Sequence, residues 1–208
     1  VTNTYNVGAL TVKKTVDSND ASSTTKSFNF KLTLTPGTGV TLAESYTAQI
    51  GDDEPYQLTF TDNVATFELM AAQSIVISGI PVGTTYAVTE DDYHKEGYVT
   101  KTPENATGTI TKDDKPEVTF TNTRKTGELT ISKTVMGNDF DANKAFNITV
   151  TFAAPTVQSV QAALAGSYTG TENGAAITGN VTGERWEETF TLKGGESVTF
   201  TGLLEGTA

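Results

Sequence analysis

The sequence predicts an all-β protein made of tandem β-sandwich modules. Three observations carry this expectation: an excess of threonine, short runs in which apolar and polar residues alternate, and a long internal repeat. Threonine fills 40 of the 208 positions. Its branched β-carbon is stiff at χ1 and suits the half-buried pleat of a strand. Alternation places side chains i, i+2 and i+4 on one face, and polar turn residues recur every ten positions or so, as in a sandwich of short strands.

The elements follow in order. Leu10, Val12, Lys14 and Val16 share one face of a first strand. Phe28, Phe30, Leu32 and Leu34 make a second, stopped by Pro36-Gly37. Leu58 and Phe60, then Val64, Thr66 and Phe67, predict a hairpin around Asp62-Asn63. Ile75, Ile77 and Ile80 run into the turn signal Pro81-Val82-Gly83. Tyr86, Val88 and Glu90 alternate next, and Val118, Phe120 and Asn122 close the pattern. Val157 to Ala165 is expected to form a short helix inserted in a loop.

The repeat sets the organisation. VTNTYNVGALTVKKTV at 1–16 aligns without gaps on FTNTRKTGELTISKTV at 120–135, an offset of 119. FELMAAQSIVISGIPVGTT at 67–85 aligns on FTLKGGESVTFTGLLEGTA at 190–208, an offset of 123, and Phe28-Asn29-Phe30 matches Phe146-Asn147-Ile148. Residues 1–7 are therefore expected to be the last strand of a preceding module, 8–124 a whole module, and 125–208 a second module that lacks its last two strand patterns. The short join from Thr123 to Gly127 predicts modules in a stiff row.

Composition excludes several functions. A net charge of −11 argues against nucleic acid and against anionic membrane surfaces, both of which need clustered Lys and Arg. Without cysteine there is no disulfide or thiolate chemistry. No apolar run approaches the roughly 18 residues of a membrane span. The single histidine, His94, sits in a polar loop and makes no catalytic constellation. The acidic pairs lack the spaced ligands of a calcium loop. No enzyme, cofactor or metal is expected, and Trp186 reads as strand packing.

Three polar residues stand on apolar faces. Lys14 lies among Leu10, Val12 and Val16; Glu90 continues Tyr86 and Val88; Asn122 continues Val118 and Phe120. Each taken singly has an ordinary reading: a snorkelling Lys, an acidic loop, a turn Asn. Taken together they suggest chemistry. Burial lowers a Lys pKa and raises a Glu pKa, leaving a neutral amine and a protonated acid. The amine can attack the Asn carboxamide while the Glu moves the proton and ammonia leaves, forming an amide between two side chains. A bond from Lys14 to Asn122 closes a loop of about 110 residues, worth on the order of 4–5 kcal/mol by analogy with disulfides.

The tracts Leu10-Thr11-Val12-Lys13-Lys14, Gly79 to Glu90 and Val118 to Thr123 resemble the B-type repeats of Gram-positive collagen adhesins, and more closely the domains of major backbone pilins of the T-antigen kind. The resemblance covers 8–124 well and 125–208 in part. It implies an immunoglobulin-like (Cna-B-type) sandwich, cell-wall anchoring outside the cell, and a spontaneous isopeptide bond. On it, Lys14 is the amine donor, Asn122 the acceptor and Glu90 the catalytic acid/base. Lys13 faces the other side of its strand. Lys133 matches Lys14 in the second module, its Glu and Asn falling past Ala208, and Asn3 would be the acceptor of the preceding module.

The function expected is a structural module of a surface fibre or adhesin stalk, a pilin shaft whose partners are neighbouring modules or subunits of the same fibre. Competing readings are an adhesin domain that binds host matrix protein or glycan, and an accessory domain of a large secreted enzyme.

Overall fold

A computed structural model describes residues 6–112, 115–138, 141 and 143–208. They fall into two compact units. The first takes in most of the chain as far as Asn122; the second is Thr123–Ala208 together with Ser18–Asp20 and Tyr93–Val99. Among the described residues no helix is long and apolar enough to cross a membrane.

Ten strands precede the join: β1 (Val7–Ser18), β2 (Phe28–Thr35), β3 (Ser45–Ile50), β4 (Tyr56–Thr59), β5 (Val64–Leu69), β6 (Ser74–Pro81), β7 (Thr85–Glu90), β8 (Val99–Lys101), β9 (Thr107–Thr109) and β10 (Glu117–Arg124). One sheet runs β4-β3-β6-β1-β10-β8 and the other β5-β2-β7-β9. The inner faces meet as an immunoglobulin-like sandwich. In β2, Phe28, Phe30, Leu32 and Leu34 are buried while the residues between them face outward, as a strand covered on one side requires. Phe30 joins the layers, lying 5.3 Å from the Phe120 ring edge-on and 5.5 Å from Phe67.

The spacing Ile75, Ile77, Ile80 breaks strict alternation, and a bulge explains it. Gly8 pairs with Ile80 and Ala9 with Ser78, so Gly79 is left over, at φ +85°. An extra residue restores the inward direction of Ile80, and only glycine takes that φ freely.

Two expectations are corrected. The turn at Asp62-Asn63 is tight, with both residues left-handed and a single bridge from Thr61 to Val64. It does not make a two-stranded hairpin, because β4 and β5 belong to different sheets. The inward residues of β5 are Ala65, Phe67 and Leu69, so Val64 and Thr66 face away from the core. The segment Val157 to Ala165 is not helical. It holds most of a small hairpin, β13 (Thr156–Val157) and β14 (Val160–Gln161), and then enters β15. Gln158 and Ser159 both have positive φ, which suits a two-residue hairpin turn and not a helix.

The second unit contains β11 (Thr126–Ser132), β12 (Phe146–Ala153), β13 and β14, β15 (Leu164–Glu172), β16 (Ala175–Gly183), β17 (Arg185–Leu192) and β18 (Ser197–Leu204). Its larger sheet runs β11-β18-β15-β16, and β12 pairs with β17. The strand registers repeat those of the first unit. Leu10 pairs with Ile77 and Leu129 with Phe200; Phe28 pairs with Leu69 and Phe146 with Leu192. Even the bulge recurs, between Gly127 and Leu129. Trp186 packs on an aromatic core, with ring centroids 5.8 Å from Phe152 and 5.7 Å from Phe200. Among the described residues of 125–208 no strand corresponds to β7, β8, β9 or β10; the sequence pattern of the first module shows two of these strands, and β8 and β9, at three residues each, are too short to show alternation.

Candidate crosslinking site

β1 lies between β6 and β10 in the six-stranded sheet, so Lys14 and Asn122 come from neighbouring strands. Glu90 comes from the opposite layer, at the end of β7, where it pairs with Phe30 of β2. Chain positions 14, 90 and 122 thus converge between the two sheets. Lys14 Nζ lies 3.2 Å from Glu90 Oε1, and Asn122 Nδ2 donates to the same oxygen at 2.9 Å. The Lys14 and Glu90 side chains are 0% and 1% exposed, and Asn122 is buried.

The surroundings are apolar on most sides. The Lys14 ammonium stands 4.4 Å from the centroid of the Phe28 ring and donates to the Thr15 carbonyl at 3.2 Å. Burial lowers the Lys14 pKa from 10.5 to about 8, against the opposing pull of the Glu90 charge and hydrogen bond. Burial likewise raises that of Glu90, against the Lys14 charge and the hydrogen bonds from Lys14 and Asn122. Both shifts favour neutral partners.

A buried pair of this kind holds one proton over the range between its two pKa values. That proton sits either on the amine, as an ion pair, or on the carboxyl, as a neutral pair. The neutral pair is the reactive arrangement. Its amine has a free electron pair, and its acid can serve the carboxamide. Glu90 Oε2 and Asn122 Oδ1 are both buried without a hydrogen-bond partner, so a half-turn of the carboxamide offers an oxygen acceptor to a protonated Glu90.

The other sequence candidates sit elsewhere. Lys13 points out of the sheet and pairs with Glu117 at 3.0 Å on the surface. Lys133 follows β11, half-buried, with its ammonium 4.2 Å from the Phe146 centroid, much as Lys14 stands on Phe28. Its amide donates to Glu196 O at 2.9 Å, as the Lys14 amide does to Gln73 O. Asn3 lies outside the described residues.

Two features escaped sequence reasoning. Phe28 was legible as core but not as the platform of the amine. Arg124 continues the face of Val118, Phe120 and Asn122, and it is buried. It pairs with Asp20 and donates to Glu96 O at 3.0 Å. Continued alternation past Asn122 was the available signal.

The chain is 34% identical over 137 residues to a pilin of Streptococcus pyogenes serotype M1, covering 58% of this chain and 40% of that protein. It is 36% identical over 81 residues to the pilus tip adhesin Cpa of Streptococcus pyogenes, covering 39% of this chain and 11% of the adhesin. The chain therefore spans well under half the length of these relatives. Among solved structures, the crystal structure of the major pilin from Streptococcus pyogenes shares 31% identity at a TM-score of 0.44, over 58% of this chain and 48% of the pilin. A family model matches twice, over residues 8–124 and 127–208, and the chain belongs to that family, described as a domain of unknown function, DUF7601.

Proposed function

We propose that this chain is a structural module pair of a Gram-positive surface fibre or adhesin stalk, locked by an amide between Lys14 and Asn122 that Glu90 makes possible. The observation that carries the reading is the buried contact of Glu90 Oε1 with both Lys14 Nζ and Asn122 Nδ2. The similarity to a pilin and to a pilus tip adhesin supports the setting: outside the cell, wall-anchored, with neighbouring modules or subunits of the same fibre as partners.

The step balances. The Lys14 amine attacks Cγ of Asn122, its proton passes by way of Glu90 to Nδ2, and ammonia departs as the Nζ–Cγ amide forms. No external reagent is consumed. The bond joins β1 to β10, so tension entering near Val7 and leaving past Asn122 runs through the amide, and residues 15–121 carry none of it. Lys133 is the matching amine of the second module.

Intact mass tests the proposal. One bond removes one ammonia, so the purified chain should weigh about 17 Da less than its sequence mass. The deficit should vanish in Lys14→Ala, Glu90→Ala and Asn122→Ala. A parent chain at full sequence mass overturns the crosslink.

A further inference from the structure

The outer strands of the first unit are blunted. β4, β8 and β9 are three or four residues long, and β5, at six, carries Glu68. Short or charged edges resist pairing with another chain. β16 differs. It is the counterpart of β4, since the order β16-β15-β18-β11 repeats β4-β3-β6-β1. β4 is outermost in its sheet as well, so the outer place of β16 belongs to the fold. Yet β16 runs for nine residues, Ala-Ala-Ile-Thr-Gly-Asn-Val-Thr-Gly, without a charge or a proline. Among the described residues its one strand partner is β15. The hairpin decides which backbone groups are left over. Asn173 and Gly174 have φ of 49° and 82°, a two-residue turn of type I′ that closes on the pair Glu172 and Ala175. Alternate residues of β16 then bond β15, so Ala176, Thr178, Asn180 and Thr182 direct their N–H and C=O to the open side. On the core face Val181 is buried, and Ile177 is only partly so.

We infer that β16 is a self-association edge, and that its occupant is β16 of a second copy of this chain, antiparallel about a two-fold axis at Gly179. Such a contact is isologous, one strand serving as both halves of the interface. The strand is self-complementary about this axis. Thr178 meets Asn180 and Ala176 meets Thr182, so the outward N–H and C=O groups exchange bonds in pairs. Core-facing residues meet core-facing residues: Val181 of one copy lies opposite Ile177 of the other and covers its exposed part. The closest approach falls on Gly179, where no side chain intervenes. The Tyr168 ring already covers that position, since a Cβ on Gly179 would lie 2.5 Å from it. Charge permits the contact. A chain at −11 repels itself over much of its surface, but β16 sets no carboxylate against another. The inference stands whether or not Lys14 and Asn122 are joined.

Sedimentation equilibrium of the full chain over a concentration series should show a monomer–dimer equilibrium. Thr178→Pro removes one outward N–H and spares the bonds to β15, so it should weaken dimerisation at least tenfold with the circular dichroism unchanged. Should that variant fail to fold, the pair Thr178→Lys and Asn180→Lys in one chain keeps both side chains in water in the monomer and sets like charges opposite each other in the dimer. The same loss is expected. Amide exchange read by NMR locates the contact. Ala176, Thr178, Asn180 and Thr182 should slow as concentration rises, while Ile177, Gly179 and Val181, already bonded to β15, stay as they are. A chain that is monomeric across the series overturns the inference. So does a dimer indifferent to these substitutions, or one whose slowed amides lie on another strand.

Discussion

Lys14 Nζ lies 3.2 Å from Glu90 Oε1, and neither side chain reaches water. An amine and a carboxyl so placed cannot both be removed from solvent cheaply as ions, and their mutual attraction only partly offsets the cost. The contact is therefore poised between an ion pair and a neutral pair.

Glu90→Gln keeps the size of the side chain and removes the proton carrier. The chain should fold without the 17 Da deficit. It should also be less stable than the parent by roughly 3–5 kcal/mol for an unpaired buried cation, in addition to the lost loop closure of on the order of 4–5 kcal/mol. Urea unfolding beside mass spectrometry measures both effects. A Gln variant that still loses ammonia would remove Glu90 from the mechanism.

Bond formation should depend on pH as a bell. Chain recovered unfolded from inclusion bodies, never having reacted, is refolded at a series of pH values and sampled by mass. Above about 8, where Lys14 and Glu90 together lose their shared proton, the acid is gone and the rate should fall. Below the raised Glu90 value the amine is held as ammonium, and the rate should fall again. A rate that rises steadily to pH 11 would show that only the free amine matters.

Asn122→Ala keeps Lys14 and Glu90 but cannot form the bond, so it exposes their linkage. The folded-state pKa of Lys14, about 8, lies below its ordinary 10.5, so the unfolded chain binds more protons between these values. Stability of this variant should therefore rise from pH 8 to 10.5, the loss on lowering the pH being complete near 8. Denaturant midpoints at pH 7, 8.5 and 10 decide the sign.

Pulling the chain by its ends should reveal the bond mechanically. In Asn122→Ala, residues 15–121 can extend. In the parent they cannot. The variant should lengthen by roughly 350 Å more than the parent, about 107 residues at ~3.3 Å each. Equal extensions would mean that no bond spans β1 and β10.

Gly79→Ala should cost about 1–2 kcal/mol, because a Cβ there has open space but the φ of +85° disfavours any L side chain. The melting temperature of the variant reports it. An unchanged value would mean that the bulge relaxes without cost.

Fold class, repeat and the inward faces of β1, β2 and β10 are legible in the sequence alone. Period-two alternation is a local property, and it is legible wherever a strand is long enough, as in β1, β2 and β10. The same rule singled out Lys14, Glu90 and Asn122, since a polar side chain on an apolar face needs no tertiary information to be seen. Pairing is not local. That β1 and β10 are neighbours, that Glu90 arrives from the other layer, and that Asp62-Asn63 passes between sheets all depend on which distant strands exchange backbone hydrogen bonds. These follow from the tertiary structure alone, as do the support of the amine by Phe28 and the burial of Arg124 against Asp20. The physical reason is that alternation states which face of a strand is apolar, while the partner that covers it is chosen by packing across the whole sandwich.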